Sequence, residues 1–346
     1  MRQRNPRNPL SSSTFLYTIL ALLAISILTW LFITNDKQEY YTKTDYLLGT
    51  YVTVRVSGDK TSPVLLANAA FKEIKRIDEK YGNNKGIVEE LNASKGKWIE
   101  MDQETAFLLK SAIEVSKNTG GAFDFTLYPI IKLWGFDDIN NEKRVPKKTE
   151  IGKALLKVNY ENVEISPDGN KVRLLNGAQI DLSGIAKGYA VDMAIMKIKS
   201  IDEKATGFID AGGDIGIIGP KYGNRPWVIG IRHPRSESAD KVIDYVYMYD
   251  GSIATSGDYE RFFEVDGIRY HHIFDPATGY PANNGVISST VIHKSAMLAD
   301  AYATAAFVLG DSPGVTFFPR YGALAFLVRE DLSTFKNKGF EVYLSK

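Results

Sequence analysis

Four short stretches of the chain hold residue types able to do chemistry, and each also has a plain structural explanation. The first is Asp181-Leu182-Ser183-Gly184-Ile185-Ala186-Lys187-Gly188. An apolar run ends at Asp181 and a helical pattern begins at once, with Ser183 placed as an N-cap and Gly184 open to close backbone approach. A helix N-terminus with a lysine one turn in favours phosphate oxygens; a capped helix with an exposed lysine explains the same residues. The second, Asp210-Ala211-Gly212-Gly213-Asp214-Ile215-Gly216, sets glycines into an apolar strand pattern. That predicts a β-bulge, or a backbone pressed against a flat ligand. The spacing is not that of a dinucleotide-binding fingerprint, and no P-loop occurs anywhere.

The third stretch runs from His271-His272-Ile273-Phe274-Asp275 through Pro276-Ala277-Thr278-Gly279 to Tyr280-Pro281, and holds two of the chain's four histidines. Asp-Pro-Ala-Thr-Gly is a turn sequence, and binding residues gather on such loops. In the fourth, Ser295 precedes a nearly all-apolar helix in which Asp300 and Thr304 lie four residues apart, on one face. A carboxylate on a buried helix is costly unless it is paired or binds a metal. Aspartate plus threonine supplies two hard oxygen donors of the kind Mg²⁺ takes; pairing with a lysine is the alternative.

The elements that must position these residues are of mixed type. Residues 45–57 alternate like one strand. Residues 62–80 read as an amphipathic helix with Leu66, Ala70, Ile74 and Ile77 on its inner face, and 103–118 as another, closed by Gly120 and Gly121. The charged stretch Glu142 to Glu150 reads as a surface loop. Strand patterns recur at 162–165, 171–182, 208–219, 226–232, 242–249 and 287–293. Helices are expected from Ser183 to Lys199 and from Ala296 to Leu309, the latter stopped by Gly310. Ala323 to Arg329 and Gly339 to Leu344 are strand candidates near the C-terminus. Strands and helices do not alternate strictly, which favours an α+β fold with mixed sheets and packed helices over a doubly wound parallel sheet.

Composition narrows the function classes. Forty-two Lys plus Arg face 41 Asp plus Glu, a net charge of +1, so the electrostatic footprint of a nucleic-acid binder is missing. The chain has no cysteine, which removes disulfides, thiolate metal sites and a cysteine nucleophile together. Arg2, Arg4 and Arg7 precede an uncharged stretch over residues 8–35, and Asp36, Lys37 and Glu39 follow it. Its apolar run exceeds the ~20 residues that span a bilayer. We read a cytoplasmic tail over 1–14, a transmembrane anchor over 15–34, a linker over 35–44 and a catalytic domain over 45–346. The arginines place the tail inside and the domain outside the cell membrane. A cleaved signal peptide is the alternative, against which stand the length of the apolar run and the lack of a small-residue cleavage site.

Taken together the motifs are far more specific than any one of them. DLSGIAKGYAVD, IDAGGD, SGDYERFF, HHIFDPATGYP and ADAYATA, in that order, resemble the ApbE family of FAD:protein FMN transferases. Leu48-Gly49-Thr50 and Thr119-Gly120-Gly121-Ala122-Phe123-Asp124, followed by Leu-Trp-Gly-Phe, extend the resemblance over residues 45–330. It implies a T-fold-related flavin-binding architecture and a Mg²⁺-dependent transfer of the FMN half of FAD to a threonine or serine of a partner protein, with AMP leaving. By the same resemblance the metal ligands are Asp300, Thr304 and a backbone oxygen of Gly184. Flavin contacts are Leu48, Ala122, Phe123, Asp124, Asp181, Lys187, His272 and Ile273. The acceptor would be a membrane-associated redox subunit with a Ser/Thr-Gly-Ala-Thr type motif. The sequence departs from the family pattern at Ala303, where many members carry an acid, and at Phe125, where many carry proline.

The chemistry implied is in-line displacement on a diphosphate. A cation at Asp300 and Thr304 would offset phosphate charge, and Lys187 or the helix N-terminus would hold phosphate oxygens. The acceptor hydroxyl needs a base, and His272 and Asp181 are both candidates. An FAD pyrophosphatase using water as acceptor, an FAD carrier that never cleaves its ligand and a membrane-anchored interaction domain are the competing functions.

Overall fold

The structure, a computed structural model, describes residues 39–344 except 84, 139, 239 and 317. In chain order it contains β1 (Tyr41–Leu47), β2 (Thr50–Ser57), α1 (Pro63–Tyr81), α2 (Gly86–Ala93), β3 (Ile99–Glu100), α3 (Gln103–Asn118), α4 (Tyr128–Leu133), α5 (Lys148–Leu155), β4 (Val163–Ile165) and β5 (Lys171–Leu174). Then come α6 (Ser183–Ile201), β6 (Thr206–Ala211), β7 (Asp214–Gly219), β8 (Trp227–Arg232), β9 (Val242–Met248), β10 (Ser252–Gly257), β11 (Phe262–Val265), β12 (Ile268–His271), β13 (Val286–His293), α7 (Ala296–Leu309), β14 (Leu324–Arg329) and β15 (Thr334–Lys336). The fold is mixed α+β, as the irregular alternation of patterns predicts.

The frame is an antiparallel sheet in the order β1-β2-β6-β7-β10-β13-β14-β15. Its strands alternate between two cores, because successive side chains point to opposite faces. Ile218, Ala254, Val291, Ala325 and Leu327 join α1, α6 and α7 in the main core. Ile217, Ile253, Ile292, Phe326 and Val328 face the β8–β9 hairpin, which brings Trp227, Ile231, Val246 and Met248. Both faces of β13 are therefore covered, and seven of its eight residues are buried. A smaller core of Ile130, Trp134, Phe136, Ile151 and Phe274 ties the Leu-Trp-Gly-Phe segment to the turn after His272. Within it the Trp134 indole N–H donates to the Gly279 carbonyl at 3.0 Å.

Several sequence expectations need correction. The strand expected over 45–57 is a hairpin: Leu48 and Gly49 both have positive φ (56° and 72°), the geometry of a two-residue turn whose twist matches the strands it joins. Strand β1 begins at Tyr41, inside the stretch read as linker. The glycines of IDAGGD do not form a bulge within a strand. Gly212 and Gly213 (φ 65° and 98°) turn the chain between β6 and β7. The run 171–182 is a strand only as far as Leu174, since Asn176 and Gly177 leave it at positive φ. The loop expected up to Glu150 gives way to α5 at Lys148, whose charged first turn hides a helix held to the small core by Ile151. Phe340–Tyr343 is a 3₁₀ turn rather than a strand, with Phe340 plugging the second core. The helix expected over 62–80 forms as α1, with Leu66, Ala70, Ile74 and Ile77 buried. Among the described residues no helix is long and apolar enough to cross a membrane; the anchor expected over 15–34 lies outside them.

Candidate active site

Helices α6 and α7 build the site because they touch backbone to backbone. A Cβ on Gly188 would lie 2.1 Å from the Ala296 carbonyl oxygen, so only glycine lets the helices cross this closely. The crossing brings Lys187 of α6 to Asp300 of α7. Lys187 Nζ forms an ion pair with Asp214, the first residue of β7, and lies 3.5 Å from Asp300 Oδ1. The other oxygen, Asp300 Oδ2, accepts the Gly188 N–H at 3.2 Å. One turn toward the start of α6, a Cβ on Gly184 would sit 3.6 Å from Thr304 Oγ1 and 3.4 Å from the Phe123 ring. Thr304 Oγ1 also meets Ser256 Oγ at 3.4 Å. Across the sheet from Ser256 stands Ser289, whose buried hydroxyl has no partner among the described residues.

Two carboxylates thus share one ammonium in a buried place, leaving a negative charge uncompensated. Burial, then the neighbouring Asp214, pushes the Asp300 pKa up to about 7. Burial likewise raises Asp214, against the pull of Lys187. Burial alone would lower Lys187, but the two carboxylates outweigh it and hold its pKa above the ordinary value, so it stays charged. The donors present fit a hard dication: the Asp300 carboxylate, the Thr304 hydroxyl one turn on and main chain at Gly184. Among the described residues no three His, Cys, Asp or Glu side chains cluster as a protein-only metal cage.

A second group of residues flanks this cluster. His272 Nδ1 lies 3.2 Å from the Arg261 carbonyl oxygen. A carbonyl only accepts, so Nδ1 carries the proton and Nε2 keeps its lone pair. Burial, then the charge of Arg261, pushes the His272 pKa below its usual range, with Lys187 acting the same way, so the imidazole is neutral at neutral pH. His271 is committed to structure, with Nε2 on the Ala282 carbonyl at 3.0 Å and Nδ1 accepting the Ile273 N–H at 3.2 Å. Asp181 Oδ1 accepts the Ser183 N–H at 2.7 Å, so Asp181 rather than Ser183 closes the start of α6. Its pKa is raised by burial and drawn back by its bonds to Ser183 and by Arg261.

The sequence-expected residues therefore fall into distinct places. Phe123, Gly184, Lys187, Asp300 and Thr304 converge on one spot. Asp181 and His272 share the field of Arg261. Asp124 accepts from Thr126 N–H (2.8 Å), Thr126 Oγ1 (2.6 Å) and Tyr160 N–H (3.0 Å), which commits its carboxylate to shaping its own loop. Ala122 and Ile273 are buried, and Leu48 holds the tip of the β1–β2 hairpin, partly packed on the main core. Sequence reasoning did not assign a role to Asp214, Arg261 or Ser256, which the structure sets beside Lys187, His272 and Thr304. Asp214 and Arg261 stood inside quoted motifs, but only the folded sheet shows that they face Lys187 and His272.

Comparison with known proteins bears on what this arrangement is for. The ApbE family profile matches residues 48–327. The chain is 33% identical over 293 residues to an FAD:protein FMN transferase of Treponema pallidum, covering 78% of this chain and 79% of that one. It is 37% identical over 213 residues to one of Vibrio cholerae, covering 61% and 63%. The crystal structure of the ApbE protein of Thermotoga maritima superposes with a TM-score of 0.85 at 44% identity, covering 89% of this chain and all of the other. The apo flavinyl transferase ApbE of Pseudomonas stutzeri gives 0.78 at 28% identity, covering 89% and 98%.

Proposed function

The chain belongs to the ApbE family of FAD:protein FMN transferases, and from that premise we propose that it moves the FMN half of FAD onto a threonine or serine hydroxyl of a partner protein, with Mg²⁺ bound and AMP leaving. The observation that carries the proposal is the meeting of Asp300, Thr304, Gly184 and Lys187 across one helix crossing. Asp300 and Thr304, with main chain at Gly184, hold the metal. Bound there, Mg²⁺ offsets the charge of the diphosphate.

The residues then divide the work. His272 Nε2 takes the proton of the acceptor hydroxyl, supported by the Nδ1–H held on the Arg261 carbonyl. The acceptor oxygen bonds to the phosphorus of the FMN half, the P–O bond to the AMP phosphate breaks, and that phosphate leaves with the electron pair. Asp181, with one oxygen on Ser183 N–H, orders the turn that starts α6. Phe123, whose buried ring lies beside Gly184, closes one wall against water. Leu48, Ala122, Lys187 and Ile273 complete the flavin contacts that the family resemblance implies, while Asp124, its carboxylate held by Thr126 and Tyr160, shapes the loop that carries Ala122 and Phe123.

We also propose that residues 15–34 anchor the chain in the cell membrane with the N-terminus cytoplasmic, the catalytic domain outside, and the acceptor a membrane-associated redox subunit with a Ser/Thr-Gly-Ala-Thr type motif. The support is the charge step across residues 8–35. Protease added to intact spheroplasts should digest the domain; full protection until lysis rejects the outward placement. For the reaction, the chain is incubated with FAD, Mg²⁺ and an acceptor peptide bearing that motif. The peptide should gain the mass of FMN less water, and Asp300→Ala should abolish the gain while the protein stays folded. Free FMN with an unmodified peptide would make the enzyme a hydrolase, and full transfer by Asp300→Ala would reject the metal assignment.

A further inference from the structure

We infer that Asp214 is a positioning residue: by holding the Lys187 ammonium it keeps the Asp300 carboxylate open to a metal ion. The inference rests on Asp300 being a metal ligand, as proposed above. Lys187 has two carboxylates within reach and they are not equivalent. It forms a close ion pair with Asp214 and only approaches Asp300 Oδ1, at 3.5 Å. Asp300 Oδ2 is already engaged by the Gly188 N–H. Oδ1 is therefore the oxygen that a dication and the lysine would contest.

Lysine carries a point charge on a flexible stem, so its ammonium goes to whichever carboxylate is nearer and less engaged. Without the Asp214 charge that carboxylate is Asp300. A Lys187–Asp300 pair would cover Oδ1 and set an ammonium against the incoming dication, a repulsion that burial leaves weakly screened. Asp214 is well placed to prevent this. It is 2% exposed and directly follows the Gly212-Gly213 turn. That turn is wedged on β2, since a Cβ on Gly212 would lie 2.3 Å from Thr50 Oγ1. Asp214 thus holds the ammonium from a rigid hairpin, on the sheet side of the helix crossing.

The test reads metal binding rather than turnover. Mn²⁺ is titrated into the full-length chain without FAD, following loss of the free-ion EPR signal. Asp214→Asn should raise the Mn²⁺ dissociation constant about tenfold or more, because the released ammonium, only partly exposed, takes its remaining buried partner. Lys187→Met should bind at least as tightly as the wild type. The double variant Asp214→Asn with Lys187→Met, which has no ammonium to place, should return to within about threefold of the wild type. Wild-type affinity in Asp214→Asn overturns the inference. So does a double variant that stays weak, since Asp214 would then act on the metal itself. If Asp214→Asn alone does not fold, the double variant decides. Asp300→Asn binding Mn²⁺ as tightly as the wild type would instead reject the metal reading, a separate failure.

Discussion

The Asp192 carboxylate of α6 accepts the Ser295 hydroxyl at 2.6 Å, just before α7 begins. It also accepts the Ala296 N–H at 2.8 Å and the Met297 N–H at 3.1 Å. Ser295 Oγ in turn accepts the Leu298 N–H at 3.3 Å. One helix thus caps the next: the free N–H groups at the start of α7 are satisfied largely by a carboxylate on its neighbour. The same pair of helices carries Lys187 and Gly184 on one side and Asp300 and Thr304 on the other. The cap therefore fixes the register of the site.

Asp192→Ala should then cost about 1–3 kcal/mol, the scale for losing charge-assisted bonds to a helix start. Denaturant unfolding measures it. FMN transfer should fall with it at temperatures where the fold is intact, because α7 is freed to slide. Unchanged stability would show that Ser295 alone suffices as the cap.

The two glycines of α6 should behave differently. Gly188→Ala drives a methyl into the Ala296 carbonyl and should destabilise by about 1–3 kcal/mol, as overpacking does. At Gly184 a Cβ meets Phe123 at 3.4 Å and Thr304 at 3.6 Å, ordinary contact distances. Gly184→Ala should fold well yet weaken Mn²⁺ binding, since the methyl stands beside the Thr304 donor. Equal thermal losses in the two variants would contradict the geometry.

If His272 is the base, His272→Ala should cut the transfer rate at saturating FAD about a hundredfold or more, the scale for a lost general base. FAD affinity, read by fluorescence quenching, should change little. Burial and Arg261 lower the His272 pKa, so the acid limb of the wild-type rate profile should fall below 6.5, the ordinary value for histidine. Arg261→Gln should move that limb upward. Weak FAD binding with normal turnover in His272→Ala would leave Asp181 or the metal to activate the hydroxyl.

Asp202, at the end of α6, accepts the N–H groups of Asp59, Lys60 and Thr61 at 2.9, 2.8 and 3.0 Å. Burial alone would raise its pKa, but these three bonds outweigh it and lower it below 3.8. A carboxyl depressed on folding adds stability above its unfolded pKa and loses it as pH falls through the folded value. Asp202→Asn should therefore be destabilised at pH 7 and converge on the wild type as acidification takes the pH through the lowered folded pKa. Thermal melts across that range check it; a constant gap would assign the loss to packing.

The kind of fold and the family are legible in the residues alone, because both are written locally. Helix periodicity marked α1, capping residues and the Gly310 stop marked α6 and α7, turn residues marked the loops, and five motifs in fixed order marked the chemistry. Residue spacing also placed Asp300 and Thr304 on one face, since four residues make about one helical turn. It takes the folded chain to show that two glycines turn a hairpin, that Gly188 lets two helices touch, and that Lys187 answers to Asp214 before Asp300. Residues 187, 214 and 300 are far apart in the chain, and no periodicity relates them. Their meeting depends on which strand of the sheet lies under which helix. That is fixed by packing the two cores on the faces of the sheet, a cooperative property of the whole domain rather than of any segment.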